Sequence, residues 1–84
     1  NFGFISTYPN PVDGVFNINY GNDKVEKLDL KIYDILGNLI FTHSTISEIG
    51  YNEVMFDTEL LLPGIYTFTL SNDVDVVIDR MIVK

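Results

Sequence analysis

An all-β sandwich is the fold this sequence predicts, on three observations. Apolar and polar residues alternate with a period of two over several stretches. Clusters of Pro, Gly, Asn and Asp punctuate those stretches, and no window of the chain keeps a helical period. One buried and one wetter face per strand is the antiparallel pattern, because parallel strands covered on both sides read as continuous apolar runs. About seven strands are expected, the number of an antiparallel immunoglobulin/fibronectin-III-like sandwich.

The elements follow in chain order. Residues 1–7 read as a linker or the start of a lead-in strand, which runs over 4–8. Tyr8-Pro9-Asn10-Pro11 then imposes a stiff, extended segment, since each proline fixes its own φ and biases the residue before it away from helix. Such a segment cannot pair as a central strand. Asp13-Gly14 is a weaker turn signal. Phe16, Ile18 and Tyr20 alternate with Asn17 and Asn19, and Leu28, Leu30 and Ile32 alternate with Asp29, Lys31 and Tyr33. In Asp34-Ile35-Leu36-Gly37 the Asp can accept bonds from the turn's own amides. Gly37 supplies the left-handed residue that closes a type I hairpin with a bulge. A strand over 39–44 follows, then a weak turn at Ile49-Gly50, then Val54 and Phe56 set against Glu53, Met55 and Asp57. Residues 59–62 could form one helical turn that Pro63 would stop. Pro63-Gly64 has the order a type II turn requires. Tyr66, Phe68 and Leu70 alternate with Ile65, Thr67 and Thr69. The hydroxyl of Tyr66 is expected to bond the backbone a few residues upstream, as in a tyrosine corner.

The last strand, over 74–83, has an ambiguous phase. Val74, Val76, Ile78 and Ile82 share one side with Arg80, while Val77, Met81 and Val83 share the other with Asp73, Asp75 and Asp79. Its end, Arg80-Met81-Ile82-Val83-Lys84, is apolar on both faces. One face is expected to meet the core and the other a partner, through the edge of a sheet that a second chain can extend.

Composition limits the function. The 84 residues make one domain, near the lower end of what buries a self-sufficient core, and 46% hydrophobic content makes that core feasible. The absence of cysteine removes disulfides and thiolate metal sites. No apolar run is long enough for a transmembrane segment, and the chain reads as a piece of a longer polypeptide. The net charge of −7 is uneven, with three Lys against five acids in residues 1–42 and two basic residues against seven acids in 43–84. Nucleic acid and anionic membrane surfaces would be repelled by such a chain.

Catalytic material is sparse. His43 is the only histidine and reads as a surface or packing residue, and with Ser44 and an Asp it makes no triad without a positioned base and an oxyanion site. Asp57 and Glu59 lie beside a turn, with too little chain around them for a substrate cleft. Asn72-Asp73-Val74-Asp75 offers hard oxygen ligands but lacks the glycine and distal glutamate of a calcium loop, so no metal or cofactor is expected. The chain is not expected to be an enzyme.

The order of the motifs carries a resemblance. Tyr8-Pro9-Asn10-Pro11, then the run from Val12 through Asp13-Gly14 to Ile18, then Leu30 to Asn38 with Asp34 and Gly37, then Phe56-Asp57-Thr58, then Leu62-Pro63-Gly64-Ile65-Tyr66, and finally Met81-Ile82-Val83-Lys84 strongly resemble the C-terminal sorting domain of the type IX (Por) secretion system, type A. The resemblance runs from about Tyr8 to Lys84. It implies a C-terminal address label on a secreted cargo that occupies the N-terminal part of the same chain. The label is recognised by outer-membrane components of the type IX machinery while the protein passes through the periplasm to the cell surface or the medium. In many members a sortase-like peptidase then removes the label and the cargo is joined to anionic lipopolysaccharide. Pro9, Asn10, Pro11, Asp34, Gly37, Pro63, Gly64, Tyr66 and residues Arg80 to Lys84 are the recognition motif the resemblance implies. The family's last strand usually carries a more basic run than Asp79-Arg80-Met81-Ile82-Val83-Lys84. The alternative is an accessory sandwich of a secreted enzyme, a spacer or a carbohydrate-binding module. The outward aromatic candidates for the latter, Tyr33, Tyr51 and Phe41, lie on different strands.

Overall fold

Each apolar alternation becomes a strand. The computed structural model describes all residues except Asn1, Asn10 and Val12, and of residues 2–4 the backbone alone. In chain order the strands are β1 (Phe2–Tyr8), β2 (Val15–Asn22), β3 (Glu26–Tyr33), β4 (Leu39–Ser47), β5 (Gly50–Asp57), β6 (Gly64–Ser71) and β7 (Val76–Val83). A 3-10 turn, Thr58–Leu60, joins β5 to the segment leading into β6. A three-stranded sheet in the order β1-β2-β5 packs on a four-stranded sheet in the order β4-β3-β6-β7. Every pairing is antiparallel. The expected sandwich of about seven strands is therefore the fold. The 3-10 turn starts one residue earlier than the sequence suggested, because Asp57 caps it by accepting the amide of Glu59 at 2.9 Å.

The core is built from the alternating residues. Phe16, Ile18, Tyr20, Val54 and Phe56 come from the smaller sheet, and Leu28, Leu30, Ile32, Tyr66, Phe68, Leu70, Met81 and Val83 from the larger. The rings of Phe16 and Phe68 meet edge to face across the sheets, with centroids 5.7 Å apart. Burying each such side chain contributes roughly 1.5–3 kcal/mol, which lets so short a chain dispense with staples.

Register settles the phase that the last strand left open. Tyr66 pairs with Met81 and Gly64 with Val83, so Met81 and Val83 are buried while Val76, Ile78, Arg80 and Ile82 stand on the outer face. Asp79 shares the inward parity but lies at the exposed edge, where its carboxylate accepts the amide of Arg80 at 2.7 Å.

Register also assigns the turns to two ends. At one end lie the pairs Tyr8 with Asn17, Val15 with Asp57, Tyr33 with Leu39, and Gly64 with Val83. At the other lie Phe2 with Asn22, Asn22 with Gly50, Glu26 with Ser47, and Ser71 with Val76. This second end is tied by polar groups. Glu26 Oε2 accepts the side-chain amides of Asn22 at 2.9 Å and Asn72 at 3.0 Å, and Asn22 also donates to Ser47 Oγ at 2.7 Å. Those bonds knit three loops into one cap.

Candidate functional site

The turn motifs gather at the first of these ends. The β3–β4 reversal is held by Asp34, whose Oδ1 accepts the amides of Leu36 at 3.0 Å and Asn38 at 2.9 Å, while its Oδ2 accepts Asn38 Nδ2 at 3.2 Å. Those donors, with the Asn38 amide foremost, hold the Asp34 carboxyl below the usual carboxylate range. Gly37 takes φ +88°, the left-handed value expected of it, and its amide returns to the Asp34 carbonyl at 3.0 Å. The tip, Ile35 and Leu36, is exposed.

The approach to β6 differs from the expected turn. Gly64 does not take the positive φ a type II turn needs, so Pro63-Gly64 is no such turn. The reversal is made instead by Tyr66, whose hydroxyl donates to the Leu62 carbonyl at 2.5 Å. This is the expected tyrosine corner. The loop before β2 joins the same end through Gly14, whose carbonyl accepts both the amide of Thr58 at 2.9 Å and its hydroxyl at 2.5 Å. Pro9 and Pro11 precede that contact, the Tyr8–Pro9 peptide being cis, and Asn10 lies outside the described residues.

These loops frame an apolar groove on the open side between β4 and β5. A volume of about 390 Å³ is lined by Asp34, Ile40, Phe41, Phe56, Leu60–62 and Tyr66. Phe41 and Phe56 form its floor, with ring centroids 4.6 Å apart. Leu60 and Leu62 stand at its rim, 93% and 79% exposed. A second recess of about 250 Å³ shares Phe41, Phe56 and Leu60 and adds His43, Met55 and Asp57. Sequence reasoning read residues 59–62 only as a helical turn and missed this groove. The signal available was an apolar Leu triplet beside a proline, with no strand to absorb it.

Of the expected motif residues, Asp34, Gly64 and Tyr66 come together here, with Val83 paired to Gly64. Arg80 lies farther along the outer face, opposite Thr67.

The reactive-looking residues are kept apart. His43 lies on the inward parity of β4 opposite Leu30, stacked on Phe41 at 6.4 Å. Ser44 points to the other face and donates to Asp29 Oδ1 at 2.7 Å. In the β6–β7 hairpin the Asn72 Oδ1 is taken by the amides of Val74 at 2.8 Å and Asp75 at 2.6 Å, so it closes the turn. Among the described residues no group of three His, Cys, Asp or Glu converges to hold a metal.

Fold and site together define a small β-sandwich domain whose turn loops gather beside an apolar groove. Residues 6–84 match the family described as the secretion system C-terminal sorting domain, and the chain belongs to that family. It is a type IX secretion system sorting domain, a non-catalytic signal, and the family implies a cargo in the same chain, exported or displayed at the cell surface. Among solved structures it is similar to dimeric latent PorU from Porphyromonas gingivalis, at 18% identity and a TM-score of 0.71, over 94% of this chain and 9% of that one. A β-glucosidase from Listeria innocua in complex with glucose is a more distant likeness, at 14% identity and a TM-score of 0.48, over 99% of this chain and 16% of that one. The chain thus spans a small fraction of the proteins whose structures it matches. No match to it is found among curated proteins.

Proposed function

We propose that this chain is a type A sorting domain at the C-terminus of a larger secreted protein, read by outer-membrane components of the type IX machinery through the end of the sandwich that carries its turn motifs. One observation supports the reading above the others. Gly14, bonded to Thr58, and the loops at Asp34 to Asn38 and Asp57 to Gly64, together with Val83, meet at one end beside an apolar groove, whereas Phe2 lies at the opposite end. A cargo preceding Phe2 would therefore leave the motif end open to a receptor. A sortase-like peptidase that frees the cargo would act on the stretch before β1, away from the groove.

Fusing residues 1–84 behind a reporter that carries a secretory N-terminal signal, in a type IX-competent bacterium, tests the proposal. Delivery of the reporter to the surface or the medium is expected. Retention in the periplasm with the domain folded would instead favour an accessory sandwich.

A further inference from the structure

The outer face of the three-stranded sheet touches the second recess at Met55 and Asp57 and otherwise takes no part in the proposed recognition by the motif end. Register places Ser6 and Tyr8 of β1, Asn17, Asn19 and Gly21 of β2, and Tyr51, Glu53 and Met55 of β5 on this face. Two tyrosines are laid along it. Tyr51 stands opposite Gly21, where no side chain obstructs it, and reaches diagonally to donate its hydroxyl to Asn19 Oδ1 at 2.6 Å. Tyr8, opposite Asn17, crosses the central strand to donate to Glu53 Oε2 at 3.3 Å. Asn19 and Glu53 are themselves cross-strand partners, so both hydroxyls converge on one pair.

The two hydrogen bonds hold both side chains along the sheet surface, and both stay open to solvent. Asn19 faces outward yet is only 6% exposed, covered by the groups bonded around it, while Tyr51 keeps 74% and Tyr8 50% of its surface in solvent. Each side chain is thus tethered at its hydroxyl while half or more of its surface remains accessible.

We propose that this face binds a neutral glycan chain, with pyranose rings stacked on Tyr51 and Tyr8 and their hydroxyls met by Glu53, Asn17 and Ser6. A pyranose with equatorial hydroxyls has a flat C–H face that suits an aromatic platform. Its rim of hydroxyls needs mixed donors and acceptors, which a carboxylate, an amide and a hydroxyl provide. Because the tyrosines are already fixed by their own hydrogen bonds, stacking orders little that was free.

Charge selects the ligand class. No Lys or Arg occurs in β1, β2 or β5, while Glu53 and Asp57 are their acids, on a chain of net charge −7. An anionic polysaccharide or a nucleic acid meets repulsion there without a compensating cation.

Titrating the 15N-labelled 84-residue chain with cellohexaose and with mannohexaose, to about 10 mM, tests the site, with hexagalacturonic acid as the anionic comparator. At least one neutral glycan is expected to shift the amides of Asn17, Asn19, Tyr51 and Glu53 with a millimolar dissociation constant, and the acid to leave them unmoved. Tyr51→Phe keeps the ring and should bind within about threefold of the wild type, whereas Tyr51→Ala should bind at least about tenfold more weakly. Absence of shifts with both neutral glycans, shifts centred on another surface, or equal shifts with the acid would overturn the proposal. The wild-type map decides by itself if Tyr51→Ala does not fold.

Discussion

The hydroxyl of Tyr66 donates to the carbonyl of Leu62 at 2.5 Å, and this one bond closes the corner that brings Leu60–62 over the floor of the groove. Tyr66→Phe removes it while keeping the ring in the core. A loss of about 1 kcal/mol is expected, read as a lower urea midpoint with an unchanged slope. An unchanged midpoint would remove the corner from the account.

Two glycines of the motif should respond differently. Gly37 sits at φ +88°, so Gly37→Ala should cost about 1–2 kcal/mol in the same urea measurement. Gly64 has no positive φ, and a Cβ there would meet only Tyr66 Cε1 at 3.9 Å, an ordinary contact. Gly64→Ala should therefore stay within about 0.5 kcal/mol of the wild type.

Acid should loosen the end opposite the groove. Hydrogen bonds from Asn22 and then Asn72, with Lys24 nearby, hold the Glu26 carboxyl below its ordinary range. A carboxyl depressed in the folded state contributes stability above its unfolded pKa, about 4.3, and loses it as pH falls through the lower folded value, because the unfolded chain binds the proton first. Thermal melts from about pH 7 to about pH 2 should fall below about pH 4, and Glu26→Gln should flatten that fall. Asp34, depressed for the same kind of reason, contributes in the same direction.

The strands were legible because a period of two survives in Phe16, Ile18 and Tyr20 and again in Tyr66, Phe68 and Leu70, where one parity meets the core and the other meets water. The phase of β7 was not. Val, Ile and Met occupy both parities there, and only pairing with β6 separates Met81 and Val83 from Ile78 and Ile82. Asp34 and Gly37 were readable because their turn is local, made by one side chain and one dihedral angle. Pro63-Gly64 was misread for the opposite reason: a tyrosine farther along the chain sets that reversal. Among the aromatics, Phe41 turned inward against Phe56, and Tyr33 lies on the other sheet from Tyr51. Tyr8 was seen only as part of a turn motif, since its reach across two strands to Glu53 is a property of the register.

The proposed function requires the export machinery to read the motif end. Leu60→Asp with Leu62→Asp tests it most directly, because both side chains are largely exposed and their loss should leave the melting temperature of the folded domain nearly unchanged. In the reporter fusion, surface delivery should drop by about tenfold or more, while Ile49→Asp, a change at another exposed residue at the opposite end, should leave it intact. Full delivery by the folded double variant, or an equal loss from Ile49→Asp, would contradict the account.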